Sequence, residues 1–241
     1  MKTLFFPIFI TFFLILHVKA ENYSTTNIQY LYGTNLKHIA SDNISDGRMQ
    51  TITFEHYGTW DYGSNFFFVD LTSGNFDSAK TSTLYMEYAP NISLSKISGK
   101  SLSLGIIKDI HLSAQINQGD NFRALMFGGG VDLSILGFKV LSLDFYSRKD
   151  DFNKQTFHST VVWHSSIVWG TRWIFEGFLD YYGVDEGSIL LTQPRLLVDA
   201  SFINTNLATL QTGVEFYIYG NYGTSNDFTG TAPQFIFKWI W

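Results

Sequence analysis

Residues 233–241 read Pro-Gln-Phe-Ile-Phe-Lys-Trp-Ile-Trp. In an extended chain successive side chains point to opposite faces. Phe235, Phe237, Trp239 and Trp241 therefore share one face, and Lys238 points to the other. A terminal, aromatic edge strand left unpaired in water is an aggregation hazard. Closing the sheet on itself removes the edge, so this stretch predicts the last strand of a closed barrel rather than an open sandwich.

The same period of two recurs along the chain. It predicts strands near 26–34, 49–58, 63–72, 81–90, 105–116, 121–133, 137–147, 155–164, 166–180, 190–202, 206–220 and 233–241. Many are about ten residues long, the length of a tilted membrane strand. In 137–147, Leu141, Leu143 and Phe145 oppose Ser142, Asp144 and Tyr146. In 166–180, Trp169, Thr171, Trp173, Phe175 and Leu179 oppose Arg172, Glu176 and Asp180. In 206–220, Leu210, Val214, Phe216 and Ile218 oppose Gln211, Glu215, Tyr217 and Tyr219. The apolar faces gather Phe, Trp and Tyr toward strand ends, as aromatic girdles do. The polar faces hold isolated charges among Ser, Thr, Gln and Tyr, which suits a narrow wet interior.

The connections alternate. Polar stretches at 35–48, 73–80, 148–154, 181–189 and 221–232 are mostly long, whereas those at 59–62, 134–136, 165 and 203–205 are short. Long loops at one end and short turns at the other belong to a twelve-stranded antiparallel transmembrane β-barrel of the outer-membrane type. The link 91–104 is long on the short-turn side and is a candidate strand extension.

Composition narrows the function. The chain has 241 residues, 45% apolar and only 15% charged, with 23 Phe, 13 Tyr and 6 Trp, too aromatic for a disordered segment. The absence of Cys excludes disulfides, thiolate metal ligation and a Cys nucleophile. A formal charge of −5 supplies no basic footprint for nucleic acid. At the start, Lys2, the apolar run Leu4 to Leu16 and Val18-Lys19-Ala20 read as a signal peptide over 1–20, cleaved after Ala20. The run is too short to cross a bilayer as a helix. Residues 21–241 then form the barrel.

Alternation sends Glu55, Asp70, Glu87, Asp109, His111, Arg123, Asp144, His158, Arg172, Glu176, Asp180, Arg195, Asp199, Glu215 and Lys238 into the lumen, with carboxylates outnumbering Arg and Lys. Lys108 and Lys139 fall on the lipid face near strand ends, where long side chains snorkel to the interface. Residue-number sums place Glu176 opposite Arg195 and Arg172 opposite Asp199 in one antiparallel register. Lumenal charges of this kind hold small barrels together, and they also bias a pore toward cations.

Residues 52–72 run Ile-Thr-Phe-Glu-His-Tyr-Gly-Thr-Trp-Asp-Tyr-Gly-Ser-Asn-Phe-Phe-Phe-Val-Asp-Leu-Thr. A strand ending in an acid, a Trp/Gly turn and an aromatic run closed by Asp resemble the front motif of the nucleoside-specific channel-forming Tsx/OmpK-like outer-membrane family. The segments Leu84 to Tyr88, Gly177 to Asp180 and Leu190 to Asp199 are similar to further landmarks of that family. The resemblance implies a monomeric twelve-stranded barrel in the bacterial outer membrane. It implies passive nucleoside uptake and, in some members, use as a phage receptor. An amphipathic last strand ending in an aromatic resembles the signal read by the barrel-assembly machinery, here Phe235 to Trp241.

A nucleoside needs aromatic faces for its base and polar groups for its ribose. Phe66, Phe68, Tyr85, Tyr146, Phe178, Tyr217 and Tyr219 face inward by parity, interleaved with Asp70, Glu87, Asp144, Glu176 and Glu215. The candidate solute-contacting residues are Phe66, Phe68, Asp70, Tyr85, Glu87, Asp144, Arg172, Glu176, Phe178, Arg195, Asp199, Glu215 and Tyr217. Aromatic side chains inside small barrels also simply fill volume. Gly128-Gly129-Gly130 lacks the Lys-Ser/Thr of a phosphate loop and reads as a bend in the wall. His111 and His158 near Asp144 suggest a hydrolytic constellation, with no Ser marked as its nucleophile. No cofactor, metal site or catalytic residue is expected. The competing readings are a plugged barrel acting as surface receptor or adhesin, and an outer-membrane hydrolase or acyltransferase.

Overall fold

The computed structural model describes residues 23–34, 36, 44–76, 82–224 and 227–241, without side chains at 44–46 and 76. The expected signal peptide, 1–20, and parts of the loops 35–48, 73–80 and 221–232 lie outside the described residues. The strands are β1 (Ser24–Thr34), β2 (Ile44–Trp60), β3 (Gly63–Phe76), β4 (Ser82–Ser93), β5 (Ile107–Gly119), β6 (Phe122–Leu133) and β7 (Phe138–Asp150). They continue as β8 (Thr156–Trp169), β9 (Thr171–Val184), β10 (Gly187–Thr192), β11 (Arg195–Asp199), β12 (Leu210–Tyr222) and β13 (Phe228–Ile240). One short helix, α1 (Leu94–Ser98), lies between β4 and β5.

Each strand pairs antiparallel with its neighbours, and β1 closes on β13 with Gln29 opposite Lys238. The strands β10 and β11 occupy one position in the wall, since both lie between β9 and β12. The barrel therefore has twelve wall positions. Gln193-Pro194 separates the two halves, because Pro194 has no N–H to give a ladder. Register survives the break: Thr192 faces Leu179 and Arg195 faces Glu176.

Outward positions are apolar. Phe54, Leu112, Phe127, Phe145, Phe216 and Phe237 are all exposed on the outer face. Trp169, Trp173, Trp239 and Trp241 ring the short-turn end, and Tyr30, Tyr32, Phe157, Tyr181 and Tyr222 the loop end. So much apolar surface is unfavourable in water and suited to hydrocarbon between two aromatic belts. Lys108 and Lys139 are exposed at the second residues of β5 and β7, as their snorkelling role requires.

Several boundaries differ from the sequence reading. The β8–β9 turn falls at Gly170 rather than 165, because Gly170 takes the left-handed conformation at φ 71° that a one-residue reversal demands. The stretch 181–189 is a tight hairpin, not a long loop, with Val184 opposite Gly187. The expected strand 190–202 is two strands ending at Asp199, and 203–205 belongs to a longer link with two 3-10 turns, Ala200–Phe202 and Thr205–Leu207. The 91–104 link both extends β4 to Ser93 and adds α1. The Gly128-Gly130 stretch marks close backbone approach: a side chain at Gly128 would meet Phe145 O at 1.8 Å.

Candidate functional site

The inward positions of the twelve-position wall form a lumen whose two sides differ in chemistry. On the side of β9, β11–β13, β1 and β2, charges are tied in one network. Arg195 Nε lies 2.6 Å from Glu215 Oε2, and its Nη1 is 3.7 Å from both Glu176 Oε1 and Glu55 Oε2. Lys238 Nζ is 2.7 Å from Glu176 Oε1 and 3.7 Å from Glu55 Oε1. Gln234 Nε2 donates to Glu215 Oε1 at 3.0 Å. Both cross-strand pairs expected from the residue sums form. Arg195 faces Glu176 in the ladder, and Arg172 Nε reaches Asp199 Oδ2 at 2.8 Å. Beside the network lies a patch that alternation did not reveal: Leu31, Ile174, Leu197 and Ile236 pack together, fully buried. These inward apolar residues fill the lumen there and shield the ion pairs from water.

The opposite side, β3 to β9, carries acids held mainly by neutral donors. Glu87 accepts from Tyr85 Oη, from Gln115 Nε2 at 2.9 Å and from Asn117 Nδ2 at 2.8 Å. Asp70 accepts from Thr53 Oγ1 at 2.5 Å. Asp144 is bonded to His111 Nε2 at 2.8 Å and Ser113 Oγ at 2.6 Å, and Asp180 to Thr160 Oγ1 at 2.6 Å and His158 Nε2 at 3.2 Å. Among the described residues none of these four has a Lys or Arg in an ion pair. Aromatic rings are interleaved with them. Phe66 and Phe68 have centroids 6.0 Å apart, and Phe68 and Tyr85 5.9 Å apart. Phe178 shares the inner face of β9 with Glu176 and Asp180. Tyr217 packs against Leu36, Met49 and Ala232 at the loop end, as does Tyr219.

The candidate residues thus divide. Glu176, Arg195 and Glu215 meet in one cluster, and Arg172 with Asp199 forms a second pair at the short-turn rim. Phe66, Phe68, Asp70, Tyr85, Glu87 and Asp144 line the other wall. Arg123 is a correction. It is exposed at the end of β6, bonding Gln118 Oε1 through Nε, while its neighbours Ala124 and Met126 take the inward positions. Arg148 opens the charged run 148–154, which the sequence pattern assigns to a connection, but it sits inside β7, 4% exposed. Its Nη2 lies 3.0 Å from Asp150 Oδ2, and its guanidinium is 4.1 Å from the Tyr182 ring centre. The strict alternation of Asp144, Tyr146, Arg148 and Asp150 was the signal that could have found it.

The suggested hydrolytic group does not assemble as such. Ser113 Oγ donates to Asp144 rather than to an imidazole, and His158 bonds Asp180 and Thr160. Among the described residues no hydroxyl is set for His111 to activate there.

No family model matches the chain, and no curated protein matches it. Among solved structures it is similar to the KdgM porin, with TM-score 0.51 and 7% identity over 88% of this chain and 98% of that one. It is also similar to an outer-membrane channel from Pseudomonas putida F1, with TM-score 0.46 and 9% identity over 93% and 97% of the two chains. A bacterial polysaccharide outer membrane secretin gives TM-score 0.43 and 7% identity over 92% and 100%. The first of these likenesses shows a shared fold, a closed antiparallel barrel.

Proposed function

We propose that the protein is a bacterial outer-membrane channel for passive diffusion of nucleosides or similar small polar solutes. The observation that carries this reading is the asymmetry of the lumen. One wall spends its cations on Glu55, Glu176 and Glu215; the other presents Asp70, Glu87, Asp144 and Asp180 on hydroxyl, amide and imidazole partners, with no Lys or Arg ion pair among the described residues, beside Phe66, Phe68 and Tyr85. Hydroxyl and amide donors orient a carboxylate without cancelling its charge, so this wall attracts solutes rich in hydrogen-bond donors. Base stacking on such rings is worth about 1–3 kcal/mol per base. Sites this weak suit passage better than retention.

The apolar belt supports residence in outer-membrane lipid, reached after export by the 1–20 signal peptide. The Phe235–Trp241 strand is the segment offered to the barrel-assembly machinery, and the working unit is a monomer. The resemblance of 52–72, now the β2–β3 hairpin, supports nucleosides as the solute. Liposome swelling with nucleosides, against sugars and amino acids of similar mass, tests the reading. Faster swelling with nucleosides supports it, and no swelling with any solute contradicts it.

A second reading is a plugged barrel serving as a surface receptor or adhesin. One observation favours it: Leu36, from the β1–β2 connection, is fully buried at the loop end against Met49, Ala232, Tyr217 and Tyr219. A sealed lumen, with receptor activity lost on trimming loops 35–48 or 221–232, would select this reading.

A further inference from the structure

Turns between strands are polar as a rule. Two connections at the short-turn end are not. Leu136, in the β6–β7 turn, is fully exposed, and Leu104 and Ile106, just before β5, are 77% and 58% exposed. The two segments are joined, because Ser134 N donates to Ile106 O at 2.8 Å. Each comes to a tip at a glycine with positive φ, 58° at Gly105 and 94° at Gly137. A side chain at either glycine would meet no atom within 4 Å beyond its chain neighbours, so nothing among the described residues covers these tips. Ile110, Leu112 and Phe138 carry the exposed apolar surface onward along the barrel. The patch is thus continuous with the lipid-facing wall.

Positive charge gathers in the same sector. Lys96, Lys100, Lys108 and Lys139 are all exposed there. Its carboxylates are Asp61, Asp109 and Asp132. Asp61 lies in the β2–β3 turn beside Lys96, whose Nζ donates to Trp60 O at 3.0 Å and Gly63 O at 3.4 Å. Asp109 accepts from Ser93 Oγ and from Ser95 N at 3.3 Å. Asp132 is opposed by Lys108 and by His111 Nδ1 at 4.0 Å. Lys100 and Lys139 remain, with no hydrogen bond or ion pair among the described residues, on a chain whose formal charge is −5. Cationic side chains with long stems beside exposed apolar residues make a surface that enters a bilayer interface carrying anionic headgroups. In outer-membrane barrels the short turns face the periplasm, so the leaflet met at this end is phospholipid.

We propose that the short-turn end of β5–β7 is a docking surface for anionic phospholipid, with Leu104, Ile106 and Leu136 entering the boundary between headgroups and acyl chains and Lys100 and Lys139 receiving headgroup phosphates. The surface fixes how deep this sector of the barrel sits in the leaflet. It rests on the outer-membrane reading and is independent of what passes through the lumen.

Two measurements on the full chain folded into vesicles test it. Leu136→Cys, labelled with a polarity-sensitive fluorophore, is expected to emit as far to the blue as the same label at Leu112→Cys on the lipid-facing wall. Emission matching the label in water overturns the surface and leaves the patch to a protein partner. Native mass spectrometry of the barrel released from vesicles of equal phosphatidylglycerol and phosphatidylcholine counts the lipid retained. Phosphatidylglycerol is expected to exceed phosphatidylcholine at least fivefold, the equivalent of about 1 kcal/mol for one lysine near an anionic surface. The excess is expected to fall toward parity in the double variant Lys100→Gln with Lys139→Gln. Equal retention by the unaltered chain, or an excess unchanged in the variant, overturns the phosphate contacts. The compact barrel band on unheated gels separates lost binding from misfolding, and Lys100→Gln alone, outside the wall, carries the test if the double variant fails to fold. A compact barrel whose label stays aqueous overturns the surface and keeps the outer-membrane reading; an unaltered chain that never forms a barrel in vesicles overturns both.

Discussion

Arg195 on β11 and Glu176 on β9 are direct cross-strand partners, yet the shortest contact of Arg195, 2.6 Å, is with Glu215 on β12. One guanidinium thus bridges three consecutive wall positions, while Lys238 comes from the far side to hold Glu176 at 2.7 Å. The network is a crossbeam inside the barrel, and its cost of desolvation is met by mutual pairing.

Removing one member leaves charges unmatched. Arg195→Ala strands Glu215, which is 1% exposed. Breaking a buried pair from one side costs about 3–5 kcal/mol. Urea unfolding of the barrel in detergent or lipid is expected to show that loss, whereas Arg123→Ala, at the exposed end of β6, changes stability by less than about 1 kcal/mol.

The aromatic wall bears on solute preference. Phe68→Ala removes the ring between Phe66 and Tyr85. Nucleoside block of bilayer conductance is expected to weaken about five- to hundredfold, the equivalent of about 1–3 kcal/mol of stacking. Unchanged block would place the solute elsewhere.

Charge on the same wall sets ionic preference. Asp144→Asn keeps the hydrogen-bonding shape near His111 and Ser113 but removes a negative charge. The reversal potential in a salt gradient is expected to move toward zero from the cation side. An anion-selective unaltered channel would contradict the assignment.

Leu36 tests the occlusion of the loop end. Leu36→Ser withdraws the apolar contact with Met49 and Tyr217. Single-channel conductance is expected to rise if the residue closes part of that mouth, and to stay constant if the pathway runs wholly along β3 to β9.

The outer face has its own signature. Phe145 is 59% exposed near the middle of β7. Phe145→Arg is expected to cost about 2–4 kcal/mol at mid-bilayer depth. Folding yield into vesicles measures it, with Lys139→Arg at the strand end as the near-neutral control.

Alternation made the wall and most lumenal acids legible, because a one-residue slip would turn Glu176, Glu215 and Lys238 toward lipid. The Glu176–Arg195 register followed from the same rule. The interior apolar patch did not, since Leu31, Ile174, Leu197 and Ile236 occupy inward positions while a two-letter pattern assigns apolar residues to lipid. Arg148 was hidden because its neighbours Lys149, Asp150 and Asp151 look like a solvated loop. Gly170 lost to the polar pair Ser165-Ser166 as the turn signal, although only Gly170 takes a positive φ there. The folding of α1 back over the β2–β3 turn, where Lys96 bonds the Trp60 and Gly63 carbonyls, is a tertiary contact with no local pattern.

The most direct measurement uses the absence of cysteine from the chain. Single cysteines placed at His111, Leu112, Ser113, Ala114, Gln115 and Ile116 along β5, in protein folded into vesicles, are challenged with a thiol reagent that partitions into lipid. A lipid-facing wall around an enclosed polar interior, in which 111, 113 and 115 are buried, predicts labelling at 112, 114 and 116 and protection at 111, 113 and 115. Uniform labelling, the opposite phase, or protection at all six positions would contradict it.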